Sequence, residues 1–151
     1  PLEIMTAKER LEGYKKALID YGVAVQNNLI KNGDFHFKGG GEAMEALLID
    51  NPGLSAVFAL NDMMAIGAMR VARNHNLRLP YDLSIIGFDD IELAKFVTPS
   101  LSSISQPIKE LSSYAVNLLI ERIEGHREIN ENKRIVLSPT LANRDSTIRR
   151  V

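Results

Sequence analysis

Asn61 and Asp89 each stand where an apolar run stops. The runs are Phe58-Ala59-Leu60 and Leu83-Ser84-Ile85-Ile86-Gly87-Phe88, and the first passes at once into a helical pattern from Asp62 to Met69. In a parallel α/β sheet, ligands are held at the carboxyl ends of the strands. An amide offers both a donor and an acceptor, and a carboxylate accepts from hydroxyls. The placing therefore sets two hydrogen-bonding groups at the lip of a crevice. Asn61 and Asp62 have a second use, capping the helix that follows, and position alone does not separate the two. Asp89-Asp90 has the composition of a metal or acid–base pair. Neighbours on an extended chain point to opposite sides, so a single carboxylate, Asp89, is the sharper expectation.

Arg10 has a guanidinium that can fork onto vicinal hydroxyls, a carboxylate or a purine edge; alone, such a residue is usually solvated. Phe35-His36-Phe37 follows the turn signal Gly33-Asp34 and offers rings either to a ligand face or as a lid over a small core. Gly39-Gly40-Gly41 lacks the Lys-Ser/Thr of a phosphate loop and reads as a loop leading into a helix. His36, His75 and His126 lie far apart, and no Gly-x-Ser-x-Gly elbow occurs. Arg144, Arg149 and Arg150 read as a solvated basic tail. No nucleophile–base pair, metal cluster or nucleotide loop can be assembled, so no enzyme, metal or cofactor is expected.

The elements that must hold these groups alternate. Thr6-Ala7-Lys8-Glu9 has the form of a capping box ahead of Leu11, Tyr14, Leu18 and Tyr21, with Gly22 as a stop. Residues 28–31 read as a short strand. A second helix carries Ala43, Met44, Leu47 and Leu48 and ends at Asn51-Pro52-Gly53. Residues 56–60 read as a strand buried on both faces, followed by a helix with a small-residue stripe of Ala65, Ala68, Met69 and Ala72. Residues 83–87 form the next strand, at the repeat of about 30 residues of a βαβ unit. A helical turn over 91–97 and a strand over 101–105 come next. Pro107 stands at a first helical position. Ile108, Leu111, Ala115, Leu118, Leu119 and Ile123 then make an amphipathic helix closed by Gly125. Residues 126–133 are a polar loop, and 134–137 and 140–143 are strands split by Pro139.

The 151 residues suit one compact domain, 45% hydrophobic and 25% charged. A net charge of −1 gives no long-range attraction to nucleic acid or anionic membrane. The absence of Cys excludes disulfides and thiolate metal sites and fits a reducing cytoplasm. No apolar run reaches the ~20 residues of a bilayer span, and no secretory signal is visible. The chain opens on Pro1 without an initiator Met, as expected of a processed or excised piece.

Six motifs in order carry a resemblance to regulators of the lactose-repressor (LacI/GalR) family. They are Arg10-Leu11-Glu12-Gly13-Tyr14, Gly33-Asp34-Phe35, the run Ala59 to Gly67, the run Ser84 to Asp90, the run Pro99 to Pro107, and the run Leu141 to Thr147. The resemblance implies an α/β, periplasmic-binding-protein-like fold, three-layer αβα with a mostly parallel sheet. Residues 1–107 and 139–151 would belong to the C-terminal lobe of the effector-binding domain and 108–138 to the N-terminal lobe. The DNA-binding domain would be absent, along with most of the N-terminal lobe and the first strand of the C-terminal lobe. By motif match Arg10, Phe35, Asn61 and Asp89 are effector-binding, with Thr6 and Gln106 less firmly matched. Ile66, Met69, Arg73, Phe96 and Val97 match the dimer surface.

The function so implied is the effector-sensing and dimerising part of a cytoplasmic bacterial repressor. A sugar, polyol or nucleoside would be its effector, and operator DNA would be bound only through the N-terminal unit. A periplasmic-type sugar-binding transport receptor and a regulator answering to a corepressor protein are the alternatives. A residue set of Arg, Asn, Asp and one aromatic ring suits a hydroxylated small molecule with one apolar face.

Overall fold

The computed structural model describes residues 4–125 and 134–149. They hold four α-helices and four strands. They are α1 (Met5–Asp20), α2 (Phe37–Asp50), β1 (Ala56–Phe58), α3 (Asp62–Asn74), β2 (Ser84–Asp89), β3 (Ser102–Ser105), α4 (Ile108–Ile123) and β4 (Thr140–Ala142). The sheet runs in the order β1-β2-β3-β4, with β1, β2 and β3 parallel and β4 antiparallel to β3. Val57 pairs with Ile85, and Asp89 pairs with Ser105. The polar residues that follow β1, β2 and β3 therefore emerge along one edge.

The core lies between α2, α3 and the sheet: Met44, Met64, Ala65, Ala68, Met69, Ala72, Leu83, Ile85, Ala94 and Leu101. The small-residue stripe of α3 works as its side chains suggest. Alanines and Gly67 bring α3 so near α2 that a Cβ on Gly67 would lie 2.0 Å from the Phe37 carbonyl oxygen.

That close approach corrects one expectation. Gly39-Gly40-Gly41 lies inside α2 rather than in a loop before it. A Cβ on Gly40 would fall 2.4 Å from the Met64 backbone, so helix packing, not loop freedom, requires the glycine. Met69, expected on a dimer surface, is 0% exposed within the core, because its place on α3 faces the sheet side.

Other local signals were overruled. The Thr6–Glu9 box does not cap α1. Ile4 is the N-cap, without a side-chain bond, and Thr6 already sits inside the helix. Residues 28–31 hold no strand. Asn27–Leu29 is a 3₁₀ turn, and no strand pairs with the extended stretch after it among the described residues. β1 is shorter and more open than an apolar run predicts, with Ala56 exposed, because it is the first strand of the sheet order. Residues 134–137 form no strand. Pro107 is the N-cap of α4 rather than its first residue. The expected polar loop at 126–133 lies outside the described residues.

The helical turn over 91–97 is present as a 3₁₀ turn, Glu92–Lys95. The amphipathic α4 is also present and ends before Gly125, whose φ is +73°. No residue of α4 is buried. Leu111, Val116, Leu119 and Ile123 are all exposed, so its apolar stripe finds no cover within the described chain.

Candidate effector site

Arg10 ties together the ends of two strands. From the second turn of α1, its Nη1 donates to the Leu60 carbonyl beyond β1, and its Nη2 donates to Asp89 Oδ1 at 3.3 Å at the end of β2. The guanidinium carbon lies 3.8 Å from the Phe88 ring centroid, a cation–π contact that fixes its plane. Gln106, next after β3, donates from Nε2 to the same Asp89 Oδ1 at 2.7 Å. Among the described residues nothing donates to Asp89 Oδ2. The ion pair is half-shielded, with side-chain exposures of 17% for Arg10 and 31% for Asp89. Its charges are thus held in place yet reachable. A crevice of about 190 Å³ adjoins the cluster, lined by Phe88, Gln106, Pro107, Ile108, Leu111, Leu137 and Pro139.

Asn61 is used differently. Its Oδ1 accepts from the Met64 amide and so caps α3, while its Nδ2 donates to the Phe35 carbonyl at 2.9 Å. Both polar ends are therefore engaged inside the protein, and Asn61 is the structural tether between the Phe35 turn and α3. Removing it should be felt in folding: Asn61→Ala should cost about 1–2 kcal/mol, from the lost cap and an orphaned carbonyl. Urea unfolding would read this as a lower midpoint at unchanged slope. Phe35 has φ +66° and packs partly against the core. It lines a larger apolar cavity of about 400 Å³ between α1, α2 and β1, a space that none of Arg10, Asp89 and Gln106 borders. Thr6 is exposed one turn before Arg10 on α1, and its side chain makes no hydrogen bond among the described residues.

Asp62 is the residue whose part the sequence concealed. It does not cap α3. It is its first residue and is fully buried. Ser103 Oγ donates to its Oδ1 at 2.6 Å, and the Ile91 amide donates to its Oδ2 at 2.8 Å. Burial raises its pKa above the ordinary carboxylate value, against the lowering effect of those two bonds; the nearby Asp89 and Asp90 charges add to the rise. A native-state pKa above the unfolded one means that the folded protein binds the proton more tightly. This group's contribution to stability is then full at low pH and is lost as pH rises through the native pKa. Asp62→Asn should remove that dependence, so the variant gains on the wild type as pH rises above the ordinary carboxylate value of 3.8. Unfolding midpoints compared at successive pH values upward from there would show it.

Arg144 also departs from the solvated tail expected of it. It donates to Asp90 Oδ1 at 2.5 Å and to the Leu101 carbonyl, with 17% of its side chain exposed. On the expected dimer surface Phe96 is 74% exposed, Arg73 is exposed, and Ile66 and Val97 are half-buried. No group of three His, Cys, Asp or Glu among the described residues is placed to hold a metal ion. No described helix is long and apolar enough to cross a membrane.

The open mixed sheet, with Arg10, Asp89 and Gln106 gathered at its strand ends, has the form of a periplasmic binding protein-like domain. The family model for the periplasmic binding protein-like domain matches residues 5–147, and the chain belongs to that family, in the branch of the LacI-type regulators. The ribose operon repressor of Haemophilus influenzae is 42% identical over 146 residues, 96% of this chain and 43% of that protein. The repressor PurR of Salmonella arizonae is 40% identical over 97% of this chain and 42% of its own length. The solved complex of the transcriptional regulator CelR with cellobiose matches with a TM-score of 0.92 at 36% identity, covering 97% of this chain and 44% of that one. The chain spans less than half the length of the curated relatives it matches. Its open mixed sheet is that of their effector domains.

Proposed function

We propose that this chain is the effector-sensing and dimerising part of a bacterial transcriptional regulator, with a sugar, polyol or nucleoside as effector. The observation that carries this is the convergence of Arg10, Asp89 and Gln106 at the ends of β1, β2 and β3, beside a crevice that α4 helps to line. Arg10 brings fork-shaped donors, and Asp89 brings a carboxylate oxygen that no described residue engages. Paired vicinal hydroxyls match that set. Phe35 and Thr6 lie outside that crevice and would reach an effector only from its far side, and Asn61 would act by holding the Phe35 turn.

Residues 1–107 and 139–151 make one lobe in this reading, and 108–138 belong to the other. The wholly unburied α4 supports that division, because its apolar stripe needs a second lobe to cover it. Phe96, Val97, Ile66 and Arg73 would form the homodimer surface. Operator DNA would be read by a separate unit of the whole protein, and the protein would act in the cytoplasm without catalysis. An effector gripping both lobes favours one arrangement of them, and DNA affinity follows that population.

The test is thermal melting of the full-length regulator against D-ribose, cellobiose, sorbitol and adenosine. A ligand at about 100 times its dissociation constant adds about 2.7 kcal/mol to the folded state. One member should raise the melting temperature, and Arg10→Ala should abolish the rise. No shift with any of them would overturn the reading.

A further inference from the structure

We propose that Asp62, buried beneath the effector site, is the positioning residue for Asp89. Through the Ser103 hydroxyl and the Ile91 amide it holds the Asp89–Asp90 turn so that the Asp89 carboxylate meets Arg10 and Gln106. The inference rests on the effector-site reading above and adds to it a residue that touches no ligand.

The turn needs a clamp. Asp89 has φ +107° and Asp90 has φ +56°, two successive non-glycine residues in a region that L side chains rarely adopt. Such strain persists only where the surroundings over-determine it. Here the determination comes from one buried carboxylate. Asp62 Oδ2 receives the Ile91 amide just past the turn, and Asp62 Oδ1 receives the Ser103 hydroxyl. That same hydroxyl oxygen accepts from the Asp90 amide at 3.0 Å. The relay thus grips the backbone on both sides of Asp90.

The strand before the turn is shaped to admit Asp62. A Cβ on Gly87 would lie 2.1 Å from Asp62 Oδ1, so the carboxylate rests against β2 two residues ahead of Asp89. An acceptor-only group suits the place, since both of its partners donate. Arg10 neutralises Asp89 and Arg144 neutralises Asp90, whereas Asp62 has two neutral donors and the positive end of α3. Its negative charge is spent on orienting the turn rather than on an ion pair.

The full-length protein is the material for the test, read by amide hydrogen exchange over residues 86–97. Ser103→Ala and Asp62→Ala should raise exchange at Ile91 and its neighbours by about tenfold or more, the loss of one or two charge-assisted bonds. Amides of α2 should keep their rates. Asp62→Asn, which keeps an oxygen for Ile91 but turns an NH₂ to the Ser103 hydroxyl, should fall between the wild type and Asp62→Ala. Ser103→Ala removes a single hydroxyl and decides the matter should Asp62→Ala not fold. A second arm titrates D-ribose, cellobiose, sorbitol and adenosine into the wild type and Ser103→Ala. Affinity for whichever of them the wild type binds should fall about tenfold. Unchanged exchange over 86–97, a rise spread evenly over the whole chain, or a local rise with unaltered affinity would each overturn the proposal. A wild type that binds none of the four sinks the effector reading alone, and the exchange arm still judges Asp62.

Discussion

Asp89→Asn should weaken effector binding by the full-length regulator by about 100-fold or more. Asp89 is the one acceptor on which both Arg10 and Gln106 converge. Replacing a carboxylate oxygen by an amide NH₂ turns either a partner or the ligand from an attracted group into a repelled one. It also leaves Arg10, only 17% exposed, without its counter-charge. Two charge-assisted bonds at roughly 1.5 kcal/mol each amount to about 3 kcal/mol, or about 100-fold. Asn tolerates positive φ better than other substitutes, so the turn should survive. Isothermal titration with the compound that raises the melting temperature is the measurement. A loss below about tenfold would remove Asp89 from the site.

Gly67→Ala should be the most damaging small change to the fold, at about 3 kcal/mol or more. The added methyl would meet the Phe37 carbonyl oxygen at 2.0 Å and the Gly41 amide nitrogen at 3.1 Å, both of them backbone atoms of α2. A side chain can turn aside, but a helix backbone can only move bodily. Movement would open the interface that buries Met44, Met64, Ala65 and Ala68. Overpacking usually costs about 1–3 kcal/mol, and an unyielding backbone puts this case at the upper end. Gly13→Ala is the matched control. It lies mid-way in α1 with nothing within 4 Å of its Cβ position, and should stabilise by about 0.5–1 kcal/mol. Urea midpoints of the two variants should move in opposite directions. Equal shifts would mean that α2 and α3 do not meet at Gly67.

The strength of local pattern explains which parts of this molecule can be read without coordinates. β2 and the helices α3 and α4 carry long apolar periodicities, and burial enforces the same period in space. The Thr6 box and the strand expected over 28–31 rest on two or three residues each, and such short signals yield to packing. Gly39-Gly40-Gly41 reads as a loop because glycine is ordinarily a helix breaker. Here it is a spacer, a role visible only when Met64 lies against it.

Taken alone, the residue order determined the succession of helices and strands in the middle of the chain and the polar groups Asn61 and Asp89 past two apolar runs, while Arg10 and Gln106 were singled out by family resemblance. Tertiary structure decided who meets whom. It set Arg10 beside Asp89 across 79 residues, turned Asn61 inward to Phe35, put Met69 in the core, paired Arg144 with Asp90 and buried Asp62 against Gly87. The reason is physical. Helix and strand periods are properties of neighbouring residues. A buried carboxylate is stable only where the whole fold supplies its donors, and no local spacing encodes where those donors will be.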